Sequence, residues 1–196
     1  VQEQPPRYRV LPTGLHAANV EIEGDWSSAA YLLTAAALSG GSITVEGLQS
    51  RSRQADVAIV PLLRGCGARV EVRHRGIHVQ GAPSLSGFEV DLRHAPDLAP
   101  TAAVLALWTE EGSVLRGVAQ LRGKESDRLQ AIADALTLLG RSVRHAPDLL
   151  IVEPSSGGTR QSNESSAHCR RAAEQSMSIS TARGRVRMFA AARPHT

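Results

Sequence analysis

The chain has 196 residues, 42% of them apolar and only 3% aromatic, with a formal net charge of +3. That length holds one ordinary domain or two small ones, and its core must rest on Leu, Val, Ile and Ala. No apolar run reaches the ~18–20 residues of a membrane span, residues 1–6 lack the features of a signal peptide, and two cysteines are too few for a disulfide framework, so a reducing cytoplasm is the expected setting.

Residues 1–18 read as a lead-in. Asn19-Val20-Glu21-Ile22-Glu23 alternates like a strand. Ser27 to Leu38 reads as a helix, with Asp25 or Ser27 as cap and Gly40-Gly41 as stop. A second strand follows over Ser42–Leu48, then a helix over Gln54–Arg64 that Pro61 must bend or interrupt. Arg69–Arg73 and Gly76–Gln80 form a hairpin. The same order then returns: a strand at Phe88–Leu92, a helix at Ala99–Trp108, a strand at Ser113–Arg116, a helix at Glu125–Leu139, and a hairpin of Ser142–His145 with Leu149–Glu153. Two βαβαββ units, at about 19–80 and 88–153, constitute an internal repeat of α/β (α+β) class.

Residues 154–196 differ. They hold 7 Arg against 2 acidic residues, and none of the chain's 21 leucines. Ser/Arg/Gly-rich composition of this kind buries too little apolar surface to offset chain entropy. The expectation is a disordered or frameshifted tail. The body carries no basic stripe interleaved with aromatics, so no nucleic-acid partner is expected, and none at a membrane.

Two segments carry chemistry. The only lysine, Lys124, lies in Gln120-Leu121-Arg122-Gly123-Lys124-Glu125-Ser126-Asp127-Arg128, at the head of the best helix. Helical spacing sets Glu125 one turn before Leu129 and Arg128 one turn before Ile132, on the inner face, and sets Asp127 with Asp134 on the solvated face. Cations at a helix start suit an anionic ligand; the same residues also fit a solvated, salt-bridged first turn. The second segment is His94-Ala95-Pro96-Asp97-Leu98, where Asp97 lies in a tight loop between a strand and a helix, a common place for ligand sites and equally for a helix cap. The pentapeptide recurs at His145–Leu149, read there as turn chemistry. The seven histidines lack ligand spacing, and no Walker A or dinucleotide fingerprint is present, so neither metal nor cofactor is expected.

Glu23-Gly24-Asp25-Trp26-Ser27-Ser28-Ala29-Ala30-Tyr31, Pro96–Thr101 and Lys124-Glu125-Ser126-Asp127-Arg128-Leu129 resemble, in order and spacing, three motifs of the EPSP synthase family. The resemblance covers about residues 8–153. It implies an enolpyruvyl-transferase-like domain, with two of its three βαβαββ units recognisable. It also implies transfer of the enolpyruvyl group of phosphoenolpyruvate to the 5-hydroxyl of shikimate 3-phosphate, releasing phosphate, by a full enzyme expected to be monomeric. On that resemblance Asp97 accepts the hydroxyl proton and Glu125 is the acid/base at the phosphoenolpyruvate methylene carbon. Lys124 is a cation near the shikimate 3-phosphate hydroxyl, Arg128 binds the phosphoenolpyruvate anion, and Gln120 is a further polar substrate contact. The family's N-terminal domain, its third-unit His-Arg motif and its late Lys are not found, so the isolated chain is expected to be inactive. The sister transferase on UDP-N-acetylglucosamine, and a non-catalytic remnant with a basic tail, are the competing readings.

Overall fold

The computed structural model describes residues 22–74, 76–123 and 127–154, the single positions Arg9, Ala17 and Asn19, and the backbone of 176–182 and 185–191. Helix α1 (Trp26–Ser39) starts where the Asp25 carboxylate accepts from the N–H groups of Ser27 and Ser28, at 3.0 and 3.2 Å. It ends at Gly40, whose φ of 70° suits a residue without Cβ. Strand β1 (Ser42–Glu46) follows, then a 3-10 turn (Ala55–Ala58) that runs into α2 (Ile59–Gly65). A continuous helix from Gln54 would need the Pro61 N–H to donate to Val57. Proline has none, so the expected helix is divided there. The hairpin β2 (Arg69–Arg73) and β3 (Gly76–Gln80) closes the first unit.

The second unit is complete. It comprises β4 (Glu89–Asp91), a 3-10 turn (Pro96–Leu98) leading into α3 (Ala99–Leu107), β5 (Ser113–Arg116), a 3-10 turn (Ala119–Leu121), α4 (Arg128–Leu138), β6 (Val143–Ala146) and β7 (Leu149–Val152). Its sheet runs β4-β5-β7-β6, with β4 and β5 parallel and the other pairs antiparallel. In the first unit the expected leading strand at 19–23 is not formed at Asn19, Ile22 or Glu23. Val20 and Glu21 lie outside the described residues.

The expectation of an unpacked tail is corrected over two stretches. Strands β8 (Ser176–Ala182) and β9 (Arg185–Ala191) join the first sheet, whose order is β2-β3-β1-β8-β9. Strand β8 pairs in parallel with β1, residues 43–45 against 177–179, and β9 pairs antiparallel with β8. Leucine is absent there, but Ser176-Met177-Ser178-Ile179-Ser180 alternates with period two, the pattern of a strand.

One hydrophobic cluster spans both units. Helices α1 and α3 pack against each other, and each buries four alanines: Ala29, Ala30, Ala36 and Ala37 on one, Ala99, Ala102, Ala103 and Ala106 on the other. Leu33, Leu63, Leu92, Leu105, Leu115, Leu129 and Leu150 fill the layer between helices and sheets. Trp26 is the sole aromatic side chain fully buried among the described residues. Cys66 is also buried, and loss of hydration pushes its thiol up to about 11, so it behaves as a small apolar group.

The β4–β5 pair is locked at its exit. The Leu92 N–H donates to Arg116 O (2.8 Å), and Asp91 Oδ1 accepts from the Arg93 N–H (2.9 Å). Gly117 crosses this point with φ of 70°; a Cβ there would lie 2.3 Å from Asp91 Oδ1 and 2.5 Å from Arg93 N. Gly117→Ala is therefore expected to cost roughly 1–3 kcal/mol, because it adds left-handed strain and breaks the Asp91–Arg93 turn. Urea melts measure this; an unchanged midpoint overturns the assignment.

Asp25 offers a second check. Hydrogen bonding, from the Ser28 hydroxyl first and then from the Ser27 and Ser28 N–H groups, holds its carboxyl below the usual 3.8 against a smaller opposing effect of burial. A depressed folded-state value means that the cap stabilises above pH 3.8 and loses its contribution as the pH falls through the folded value. Asp25→Ala is expected to lower stability by about 0.5–2 kcal/mol at neutral pH. The gap between variant and parent should narrow at pH 3. An equal gap at both pH values would show that the charge is not what caps α1.

Candidate active site

Parallel strands deliver their C-terminal ends to the same side of a sheet, and the loops that follow are neighbours. Strands β4 and β5 are such a pair. The loop after β4 carries Asp97; the loop after β5 carries Gln120, then Lys124 and Glu125, and ends at Arg128. The structure brings Asp97 and Arg128 together: Arg128 Nη1 lies 3.7 Å from Asp97 Oδ1. Both side chains are about half exposed (57% for Asp97, 46% for Arg128). A pair this open and this long contributes little to stability, on the order of 0–1 kcal/mol. Its two charges therefore remain accessible to a ligand. Asp97 is also not the cap of the turn it sits in; Ala95 holds that position.

Gln120 is exposed and reaches across to the neighbouring loop. Its Nε2 donates to Arg93 O at 2.8 Å, tying the β5 loop to the β4 loop. In this conformation it holds the scaffold under Asp97 in place. Lys124 and Glu125 lie outside the described residues. The expected helix start is corrected: α4 begins at Arg128, and Asp127 is its N-cap, with Oδ1 accepting from the Gln130 N–H at 3.0 Å. Asp127 is exposed, as is Asp134, but it caps the helix rather than lying on its face. A short acidic side chain just ahead of Arg128 satisfies an orphan N–H at the helix start.

One supporting residue was not legible in the sequence. Asp148, in the turn between β6 and β7, accepts from the Ala119 N–H at 2.8 Å and anchors the 3-10 turn that carries Gln120. The repeated pentapeptide could have drawn attention to it, but its reach of 29 positions along the chain leaves no local pattern. Nearby, Arg122 Nη2 contacts His145 Nδ1 at 3.4 Å, so the same hairpin touches the β5 loop twice. The first unit ties its helix start in a comparable way. Gln54 accepts from the Trp26 N–H and donates to Gly24 O, both at 2.9 Å, and the Ser27 hydroxyl donates to buried Asp56.

The EPSP synthase (3-phosphoshikimate 1-carboxyvinyltransferase) family profile matches residues 1–187. The 3-phosphoshikimate 1-carboxyvinyltransferase of Aeropyrum pernix is 46% identical over 138 residues, covering 70% of this chain and 31% of that protein. The protein of the same name from Methanocaldococcus jannaschii is 39% identical over 131 residues, covering 67% of this chain and 30% of that one. Among solved structures, EPSP synthase from Acinetobacter baumannii superposes with a TM-score of 0.58 at 30% identity, over 68% of this chain and 33% of that chain. The chain thus spans about a third of the length of these relatives. With the parallel β4–β5 loops, the repeated units and these likenesses in agreement, the chain belongs to the EPSP synthase family.

Proposed function

We propose that this chain supplies part of the active site of an enzyme that transfers the enolpyruvyl group of phosphoenolpyruvate to the 5-hydroxyl of shikimate 3-phosphate, giving EPSP and phosphate. The observation that carries this reading is the pairing of Asp97 with Arg128 at the C-terminal ends of two parallel strands. A carboxylate beside a guanidinium suits a reaction that removes a hydroxyl proton next to a bound anion.

In this reading Asp97 accepts the proton of the attacking hydroxyl as its oxygen bonds to the central carbon of phosphoenolpyruvate. Glu125 delivers a proton to the methylene carbon, and then removes one from the same carbon as phosphate leaves and the enol ether forms. Arg128 binds the phosphoenolpyruvate anion and turns from Asp97 to do so. Lys124 stands near the shikimate 3-phosphate hydroxyl. Gln120 contacts substrate only if it releases Arg93 O; as it stands, it supports the loop. Both substrates are small polyanions, and the full enzyme is placed in the cytoplasm as a monomer.

Two outcomes are expected. In a complete enzyme built around these residues, Asp97→Asn and Glu125→Gln each lower turnover by about 10²–10⁴, the usual effect of losing a placed acid or base. Asp127→Asn is the control, since Asn also caps helices; equal loss in the control would overturn the assignment. The 196-residue chain alone is expected to show no turnover. Lys124 and Arg128 are the proposed substrate cations here, and each missing charge-assisted bond forfeits roughly 1.5–3 kcal/mol. EPSP formation by the purified chain would contradict this.

A further inference from the structure

The pentapeptide His-Ala-Pro-Asp-Leu occurs twice, and the proposed chemistry uses only the first copy, through Asp97. The second copy lies at the same end of the sheet. Leu149, the first residue of β7, pairs with Arg116, the last residue of β5, so the β6–β7 turn sits beside the C-terminal end of β5. Turn chemistry alone would have Asp148 bond the backbone of its own turn. Its Oδ1 instead accepts from the Ala119 N–H, 29 positions away. The two aspartates thus meet the loop between β5 and α4 at its two ends, Asp148 at Ala119 and Asp97 at Arg128. Ala119 opens the 3-10 turn whose middle residue, Gln120, donates to Arg93 O in the loop that carries Asp97, and whose last residue, Leu121, is buried. Asp148 and Ala119 are both exposed. A single exposed hydrogen bond adds little to global stability; what this one does is select a position for the turn.

We infer that Asp148 is a positioning residue for the transfer reaction, a role that rests on the function proposed above. Through the Ala119 N–H it fixes the 3-10 turn, and with it Gln120 and the spacing of the two loops that carry the charged groups. Arg128 is held independently of this link, because Asp127 caps α4 through the Gln130 N–H. Loss of the link therefore disturbs shikimate 3-phosphate, whose proposed contact Gln120 sits on the turn, more than phosphoenolpyruvate, which Arg128 binds.

Two substitutions test this. Asp148→Ala removes the acceptor, and Asp148→Asn keeps a carbonyl oxygen in its place. In the complete enzyme built around these residues, Asp148→Ala should lower kcat about tenfold or more, raise the KM for shikimate 3-phosphate about fivefold or more, and leave that for phosphoenolpyruvate within about twofold. Asp148→Asn should bring all three to within about threefold of the parent. In the 196-residue chain, hydrogen exchange of the amides of residues 119–121 should quicken about tenfold or more in Asp148→Ala and not in Asp148→Asn, with β5 and α4 still protected. Equal changes in the two KM values, no recovery in Asp148→Asn, or unchanged exchange at 119–121 in Asp148→Ala overturns the role. A parent enzyme that forms no EPSP overturns the functional reading and this role with it; an active parent matched by Asp148→Ala overturns this role alone. If Asp148→Ala unfolds β5, Asp148→Glu decides, since it keeps the charge and displaces the acceptor: the same split between the KM values supports the role, and parental values overturn it.

Discussion

The parallel pairing of β4 with β5 is the constraint on which the candidate site depends. It sends two loops of distant sequence out of the same end of a sheet, and a carboxylate from one then meets a guanidinium from the other. Parallel strands cannot be joined by a tight turn, so a helix must cross between them. Here that helix is α3, with its buried face of alanines. Small side chains let α3 sit close to α1, and this contact joins the two units into one core. Closure of the fold and convergence of the site are thus two results of one crossover.

The loops do not rest on that crossover alone. Asp148 reaches from the β6–β7 turn to the Ala119 N–H, Gln120 reaches to Arg93 O, and Gly117 lets the backbone pass close to Asp91. These contacts satisfy backbone groups that a loop would otherwise leave to water. The Asp97–Arg128 pair itself is loose by comparison. The hydrogen-bonded supports lie behind the half-exposed charged pair and fix the two loops that carry it.

Regular elements with strong local periodicity were legible in the sequence. The hairpin 69–80 and strand 113–116 occur at the expected residues, because alternation and turn residues are local signals. The start of α4 was not legible: Glu125 and Asp127 both look like first-turn acids, and the geometry of the Gln130 N–H selects Asp127 as cap. The division of the helix over 54–64 agrees with the expectation that Pro61 bends or interrupts it, and it falls between Ala58 and Ile59. Strands β8 and β9 were missed because leucine content was weighed above alternation. The pairing of Asp97 with Arg128 spans 31 positions (128 − 97), which no window of local pattern contains. The motif resemblance drew attention to both residues; only the sheet topology brings them into contact.

The pairing of β1 with β8 also has a consequence for biosynthesis. Strand β3 leaves the ribosome soon after β1, whereas β8 follows the whole second unit. At about 5–20 residues per second, the delay between β1 and β8 is on the order of ten seconds. Hairpins and short strand pairs form in microseconds. For that interval β1 can pair with β3 on one side, while its other edge waits for β8. The first sheet is therefore completed only after the whole second unit has been made.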